Sequence, residues 1–141
     1  MFGVGDKNHK KRTVFGKKGK EKVKDMKKEE AKVTLMERIK EERDMFFGEI
    51  EDFFESIGYD YKGGKSIRAR EGSNLVIWVN WNDEAISILN EIMEVKGFTG
   101  MTANPIEIAI MEQLVLPLAK QINRNYREPH WLPCKIAYVG K

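Results

Sequence analysis

The fold of this chain is decided by residues 33–57, which read VTLMERIKEERDMFFGEIEDFFESI. Apolar side chains recur there at three- and four-residue spacing, which places them on one face of a helix. They are Met36, Ile39, Phe46, Phe47, Ile50, Phe53, Phe54 and Ile57. The opposite face carries eight acidic groups against three basic ones, and Gly58 is the expected C-cap. We therefore predict one long helix, apolar inside and acidic outside, that organises the core.

A β-hairpin is predicted after this helix, with strands at residues 65–70 and 74–81 and a turn at residues 71–73. Side chains alternate between the two faces of a strand, so the length of the turn determines which residues share a face. An odd-numbered turn joins Ile67 to the odd-numbered apolar residues of the second strand. An even-numbered turn would mix two arginines into that apolar face. We therefore predict the odd-numbered turn, which leaves the arginines on the other face with Trp78.

Two more helices and a final strand complete the predicted fold. Residues 83–96 form a helix with Asn82 as its N-cap, and a glycine-rich loop follows at residues 97–102. Residues 105–119 form a third helix that is apolar nearly all round, which indicates a central position in the core. The last strand lies at residues 135–139. The prediction is an α+β fold in the order α-β-β-α-α-β, in which a small antiparallel sheet, made of the hairpin and the C-terminal strand, packs on three helices.

The N-terminal segment differs in charge from the rest of the chain. Residues 1–32 carry twelve Lys and Arg against five acids, whereas residues 33–141 carry thirteen against seventeen. Residues 1–24 contain too few apolar groups to offset the entropy of ordering the backbone, so we predict a basic arm that is disordered alone. Residues 25–141 are predicted to form a single domain. The basic residues of the arm are Lys7, Lys10, Lys11, Arg12, Lys17, Lys18, Lys20, Lys22 and Lys24.

The partner of this arm is predicted to be negatively charged. Its cations can neutralise nucleic-acid phosphates, which releases counterions, or they can lie on an acidic protein face. The acidic side of the first helix, in a second copy of the chain, is one such face. The sequence leaves DNA, RNA and acidic protein open.

Two further groups of cations are candidates for binding. On the hairpin, Arg68 and Arg70 flank Trp78, and an indole between guanidinium groups suits base stacking; the alternative is that Trp78 packs in the core. A second group ends the third predicted helix, where its dipole favours cations, and it counts as a site only if it lies beside the hairpin arginines. This second group consists of Lys120, Arg124 and Arg127.

No pattern of residues predicts enzymatic chemistry. Residues 63–66 read Gly-Gly-Lys-Ser, but a phosphate loop needs a glycine where Tyr59 stands and a strand that leads into a helix. His130 and Cys134 are too few for zinc, and their spacing supplies neither a base nor an orienting group for a thiolate. Residues 97–102 form the only candidate loop for a small ligand. We predict no cofactor, no metal and no enzymatic activity.

The sequence predicts a non-enzymatic structural component of a larger viral or ribonucleoprotein-type assembly, whose basic arm contacts nucleic acid or an acidic neighbouring subunit. One alternative is a free-standing DNA- or RNA-binding regulator that uses Arg68, Arg70 and Trp78; a less favoured one is a small-ligand-binding protein. Expected partners are other protein subunits or nucleic acid, within a homo-oligomer or complex. The chain has no signal peptide and no long apolar run, so we predict a soluble protein without membrane contact, in the cytoplasm or a viral particle.

Overall fold

The computed structural model describes residues 3–4 and 26–140 of the chain. This part contains seven strands and four helices. In chain order they are β1 (Gly3–Val4), α1 (Lys28–Glu42), β2 (Asp44–Phe46), α2 (Phe47–Ile57), β3 (Lys62–Arg68), β4 (Leu75–Trp81), α3 (Asp83–Met93), β5 (Phe98–Thr102), α4 (Pro105–Ile110), β6 (His130–Trp131) and β7 (Cys134–Tyr138). The predicted α+β fold class is confirmed.

The strands form two small sheets. One has the order β1-β3-β4-β6 and is called the hairpin sheet; the other has the order β2-β7-β5 and is called the terminal sheet. The C-terminal strand β7 therefore does not join the hairpin, as predicted, but lies between β2 and β5 with antiparallel pairing on both sides. The hairpin instead receives β6, which runs parallel to β4. The second sheet is not predicted, because the sequence indicates a helix where β2 lies and a loop where β5 lies.

The predicted long helix is two helices, α1 and α2. The helix breaks at Arg43, which adopts a positive φ of 76°, and the next three residues form β2. Met45 of β2 is buried opposite Ile136 of β7. The sequence contains a trace of this break, because the apolar repeat has no member between Ile39 and Met45. Pairing with β7 then outweighs the local helix propensity of the charged residues in the gap.

The first two helices nonetheless organise the core as predicted. Phe47 and Phe54 of α2 are fully buried. The ring centroid of Phe47 lies 5.9 Å from that of Trp78 and 5.7 Å from that of Trp81, and Phe54 lies 5.6 Å from Trp81. Edge-on and offset contacts of this kind add to the free energy gained by burying the rings. The phenylalanines of α2 therefore anchor the hairpin sheet through its two tryptophans.

The hairpin and its turn are confirmed, but the register of its strands changes along their length. Close to the turn, Arg68 lies opposite Val76, as the odd-numbered turn requires. Beyond an irregularity in the pairing, Ile67 lies opposite Trp78, so these two residues share a face. The prediction that Trp78 faces away from Ile67 is therefore wrong, because a β-bulge shifts the alternation by one residue. A second irregularity in the pairing includes Gly63. A Cβ atom added to Gly63 would lie 2.7 Å from the Cα of Asn82, so there is no space for a side chain at this position.

Helix α3 follows the prediction closely. Helix α4, which corresponds to the predicted third helix, departs from it. Asn82 caps α3 by accepting a hydrogen bond from the N–H of Ala85 at 2.7 Å. Helix α4 begins at Pro105 as predicted, but it ends at Ile110 and has no buried residue, so the expected central helix is wrong. Farther along, the carbonyl of Pro117 accepts from the N–H of Trp131 at 2.7 Å. The backbone there pairs with β6 instead of with itself.

Candidate nucleic-acid interface

The arginines of the hairpin lie at its turn. Arg68 is half-buried, and its guanidinium donates to the carbonyl of Ser73 at 2.6 Å and to Oγ of Ser66 at 3.1 Å. These bonds tie the end of β3 to the turn and restrict the rotamers of the guanidinium. Arg70 is exposed within the turn itself. The hairpin therefore presents one positioned guanidinium and one exposed guanidinium at the same end.

The loop between α4 and β6 is organised around Tyr126. The hydroxyl oxygen of this residue accepts hydrogen bonds from the backbone N–H of Lys120 at 3.0 Å and of Gln121 at 3.1 Å. Its ring stacks on His130 with a centroid distance of 3.9 Å, and the guanidinium carbon of Arg124 lies 5.2 Å from its centroid. The three cations that sequence reasoning placed on a helix thus belong to a loop, which is held by one aromatic side chain.

Asn74 joins this loop to the hairpin. Its Nδ2 donates to the carbonyl of Tyr126 at 2.9 Å, and its own carbonyl accepts from the N–H of His130 at 2.8 Å. Its side-chain oxygen lies 3.5 Å from Nη1 of Arg68. Asn74 therefore connects Arg68 to the loop that carries the cations expected on the predicted third helix.

We call this surface the basic end. Its members are Arg68, Arg70, Asn74, Lys120, Arg124, Tyr126, Arg127 and His130. It carries five Lys and Arg, with Glu71 and Glu128 as the acids of the same segments, whereas residues 26–140 as a whole carry fifteen basic and nineteen acidic groups. A cavity of about 450 Å³ is lined by residues 124–128 and His130. The segments that form the basic end thus carry a net positive charge, whereas the described residues as a whole carry a net negative one.

Trp78 does not belong to the basic end. It is only 3% exposed, and its Nε1 donates to Oε2 of Glu51 at 2.8 Å. The prediction that it forms a base-stacking surface with Arg68 and Arg70 is corrected, because the bulge turns its ring towards Phe47 in the core. Sequence reasoning missed Asn74 and Tyr126, and it considered His130 only as a metal ligand or catalytic residue. Their role depends on contacts across the fold, and no local pattern indicates it.

The nine basic residues of the N-terminal arm lie outside the described residues. What the structure does describe is β1, in which Gly3 pairs with Arg68 and Val4 pairs with Ile67. Sequence reasoning predicted no strand there. The backbone of this short strand runs beside the hairpin residue that contributes to the basic end.

A surface of opposite sign lies between α1 and α2. A cavity of about 410 Å³ there is lined by three acidic residues, Glu42, Glu49 and Asp52, and by Arg38, Met45, Phe53 and Ser56. The guanidinium carbon of Arg38 lies 4.8 Å from the centroid of the Phe53 ring. We call this cavity the acidic groove. It is the acidic helix face that the sequence predicted, now divided between two helices.

The structure also places the residues considered for catalysis. Residues 63–66 lie within strand β3, so a helix N-terminus that would hold a phosphate does not follow them. The thiol of Cys134 is buried, and burial raises its pKa to about 12, which keeps it protonated at neutral pH. The described residues contain no group of three His, Cys, Asp or Glu side chains placed to hold a metal ion. Residues 98–102, expected in a loop, form β5.

None of the helices described is long and apolar enough to cross a membrane. No protein-family model, curated protein or solved structure matches this chain. The chemistry of the basic end is therefore interpreted from its own residues.

Proposed function

We propose that this protein is a non-enzymatic component of a nucleoprotein assembly, viral or ribonucleoprotein in type, and that its basic end binds nucleic acid. The observation that supports this proposal is the link through Asn74, which connects Arg68 of the hairpin to the loop that carries Lys120, Arg124 and Arg127. Segments that carry cations and are distant in sequence are joined there, whereas the described residues as a whole carry a net negative charge. The basic N-terminal arm adds to the affinity.

Two kinds of contact are available at the basic end. Arg70, Arg124 and Arg127 are exposed, and their guanidinium groups suit phosphate oxygens. The stacked pair of Tyr126 and His130 adds planar groups of the kind on which unpaired bases stack. Because the Tyr126 hydroxyl is held by two backbone N–H groups, its ring needs little ordering when a ligand binds. These features favour single-stranded nucleic acid.

The acidic groove supports a second role for the basic arm. Its three carboxylates make it a candidate site for lysines from a neighbouring subunit, which would link copies within an assembly. A free-standing regulator that reads bases with Trp78 has no such support, because that indole is buried.

The proposal is tested by titrating the full chain into fluorescently labelled single-stranded and duplex oligonucleotides over a series of salt concentrations. In the variant with Arg124→Gln and Arg127→Gln, two phosphate contacts are lost. The slope of log K against log salt should then become shallower by about 1.4 for single strands, at roughly 0.7 per contact. The matched control changes Lys62→Gln and Lys96→Gln, two exposed cations outside the basic end.

The two variants have the same net charge, so a general electrostatic effect would weaken binding equally in both. Equal slopes for the two variants would refute the basic end as the binding surface. Binding that is absent in the wild-type chain at low salt would refute nucleic acid as the partner. In that case, salt-sensitive self-association would favour the acidic groove as the site of the arm.

A further inference from the structure

We propose that β5 is a self-association edge, along which two copies of this chain pair antiparallel and join their terminal sheets into one six-stranded sheet. The observations concern the backbone of β5, the composition of its edge and the apolar residues beside it. This inference names a second copy of the chain as the partner in the proposed assembly, so it rests on the assembly part of the proposed function. It does not depend on nucleic-acid binding at the basic end.

One edge of β5 pairs with no other strand among the described residues. The strand pairs with β7 alone, on its other side. Just before β5, the carbonyl of Gly97 accepts from the N–H of Val139 at 2.7 Å. Just after it, the N–H of Ala103 donates to the carbonyl of Pro133 at 2.9 Å. In an antiparallel pair every second residue bonds to the same neighbouring strand, so Thr99 and Met101, which lie between Gly97 and Ala103 at two-residue steps, also bond to β7. The backbone groups of Gly100 and Thr102 therefore point away from the sheet.

The edge also lacks the features that normally prevent strand pairing. Natural edge strands are protected by lysine, by proline, by bulges or by being very short. Strand β5 reads FTGMT, without a charge or a proline, and its five pairs with β7 show no register shift. The opposite edge of the same sheet, β2, has three residues and carries Asp44, which forms an ion pair with Lys135 at 3.0 Å. Of the two edges of the terminal sheet, β5 is the open one.

Exposed apolar side chains lie in the segments that precede and follow this edge. Val95 and Met101 are each 39% exposed, and on α4 Ile106 is 76% and Ile110 is 74% exposed. Summed over the four residues, the exposed surface is on the order of 400 Å². A stable interface buries about 800 Å² per partner, of which about 450–520 Å² is apolar. Both segments must therefore contribute for an interface at this edge to reach that area.

The occupant that fits is a second copy, because the edge is complementary to itself. Residues 98, 100 and 102 are spaced symmetrically about Gly100. Gly100 and Thr102 turn their backbone N–H and carbonyl groups to the open edge, whereas Phe98 offers only its carbonyl, because its N–H donates to the carbonyl of Val95 at 3.1 Å. A two-fold axis at Gly100 pairs Gly100 with its equivalent and lets the carbonyl of Phe98 accept from the N–H of Thr102 of the second copy. The contact is then isologous, as in most homodimers, and it leaves no further β5 edge unpaired.

The test uses charge at the position of the two-fold axis in the full chain. Gly100 does not adopt a positive φ, so its backbone conformation does not require glycine. In an antiparallel dimer the two Cα atoms at this position lie about 5.5 Å apart on one face. Gly100→Lys and Gly100→Glu should each raise the dimer dissociation constant by about tenfold or more, since like charges directly opposite are destabilising. A mixture of the two variants should restore the dimer, and Gly100→Ser is the neutral control.

Sedimentation velocity gives the mass, and circular dichroism checks that each variant is folded. The expected result is a wild-type dimer, monomers for each charged variant alone and a dimer on mixing. A dimer that persists in both charged variants would overturn the β5 edge while leaving assembly intact. A wild-type monomer would overturn self-association; nucleic-acid binding by that monomer would show that the basic end functions without it. Gly100→Ser should dimerise with the same dissociation constant as the wild type, because it adds a side chain without adding a charge.

Discussion

Glu51 joins the two buried tryptophans of β4 to α2, and its replacement gives the sharpest test of the core. Its Oε2 atom accepts from Nε1 of Trp78 at 2.8 Å and from Nε1 of Trp81 at 2.9 Å. Glu51→Ala removes this acceptor from both indoles. Trp81 is fully buried, so its N–H is left without water, whereas Trp78 borders a cavity of about 340 Å³ that water can enter.

The magnitude follows from these two environments. Hydrogen bonds to a charged acceptor contribute about 1.5–3 kcal/mol each, and a buried donor without a partner costs about 1–3 kcal/mol. With Trp78 hydrated and Trp81 unpaired, Glu51→Ala should lower the free energy of unfolding by about 2–4 kcal/mol. Glu51→Gln retains a side-chain carbonyl as acceptor and should cost about 1 kcal/mol.

Urea denaturation, followed by tryptophan fluorescence, measures both values. The control is Asp52→Ala, the loss of an exposed carboxylate one residue further along the same helix. The reasoning is refuted if the Glu51→Ala and Asp52→Ala variants unfold at the same urea concentration, because the indole hydrogen bonds would then contribute nothing.

Two further predictions concern the close backbone contact at Gly63 and the ion pair of Glu107 with Lys135. Gly63→Ala should destabilise the protein by about 2 kcal/mol, because the new Cβ would lie 2.7 Å from the Cα of Asn82. Gly64→Ala, with no atom within 4 Å of its Cβ, should be neutral or slightly stabilising in the same urea titration. The side-chain hydrogen bond from Lys135, and then the backbone N–H of Asn104, hold the pKa of Glu107 below its ordinary value of 4.5. The stabilisation that Glu107 provides is therefore present above pH 4.5 and is lost as the pH falls through its lowered pKa. Glu107→Gln should flatten the acid side of a plot of stability against pH; an unchanged acid side would contradict this assignment.

Local signals in the sequence predicted local structure well. Asn82 caps its helix as expected, and Pro105 begins α4. The turn of the hairpin contains Gly72, whose φ of 77° suits glycine. These features depend on neighbouring residues alone, so they can be recognised without the fold.

The candidate site was predicted in part. The cations Arg68 and Arg70 were named from strand alternation, and Arg124 and Arg127 from a predicted helix end. The structure connects Arg68 through Asn74 to the loop that carries the latter pair. Trp78 was included because strand alternation was extended through a bulge that has no clear sequence signal.

Sequence by itself determined the fold class, the starts of α3 and α4, the hairpin turn and the charge difference between residues 1–32 and 33–141, because these depend on contacts or charges that are close along the chain. Only the tertiary structure decided the second sheet, the burial of Trp78 and the contact of the hairpin with the loop that contains Tyr126. The bond from Asn74 to Tyr126 spans 52 positions, and the pairing of β2 with β7 joins residues still farther apart. Partners at such separations are selected by the packing of the whole core, which no local pattern encodes.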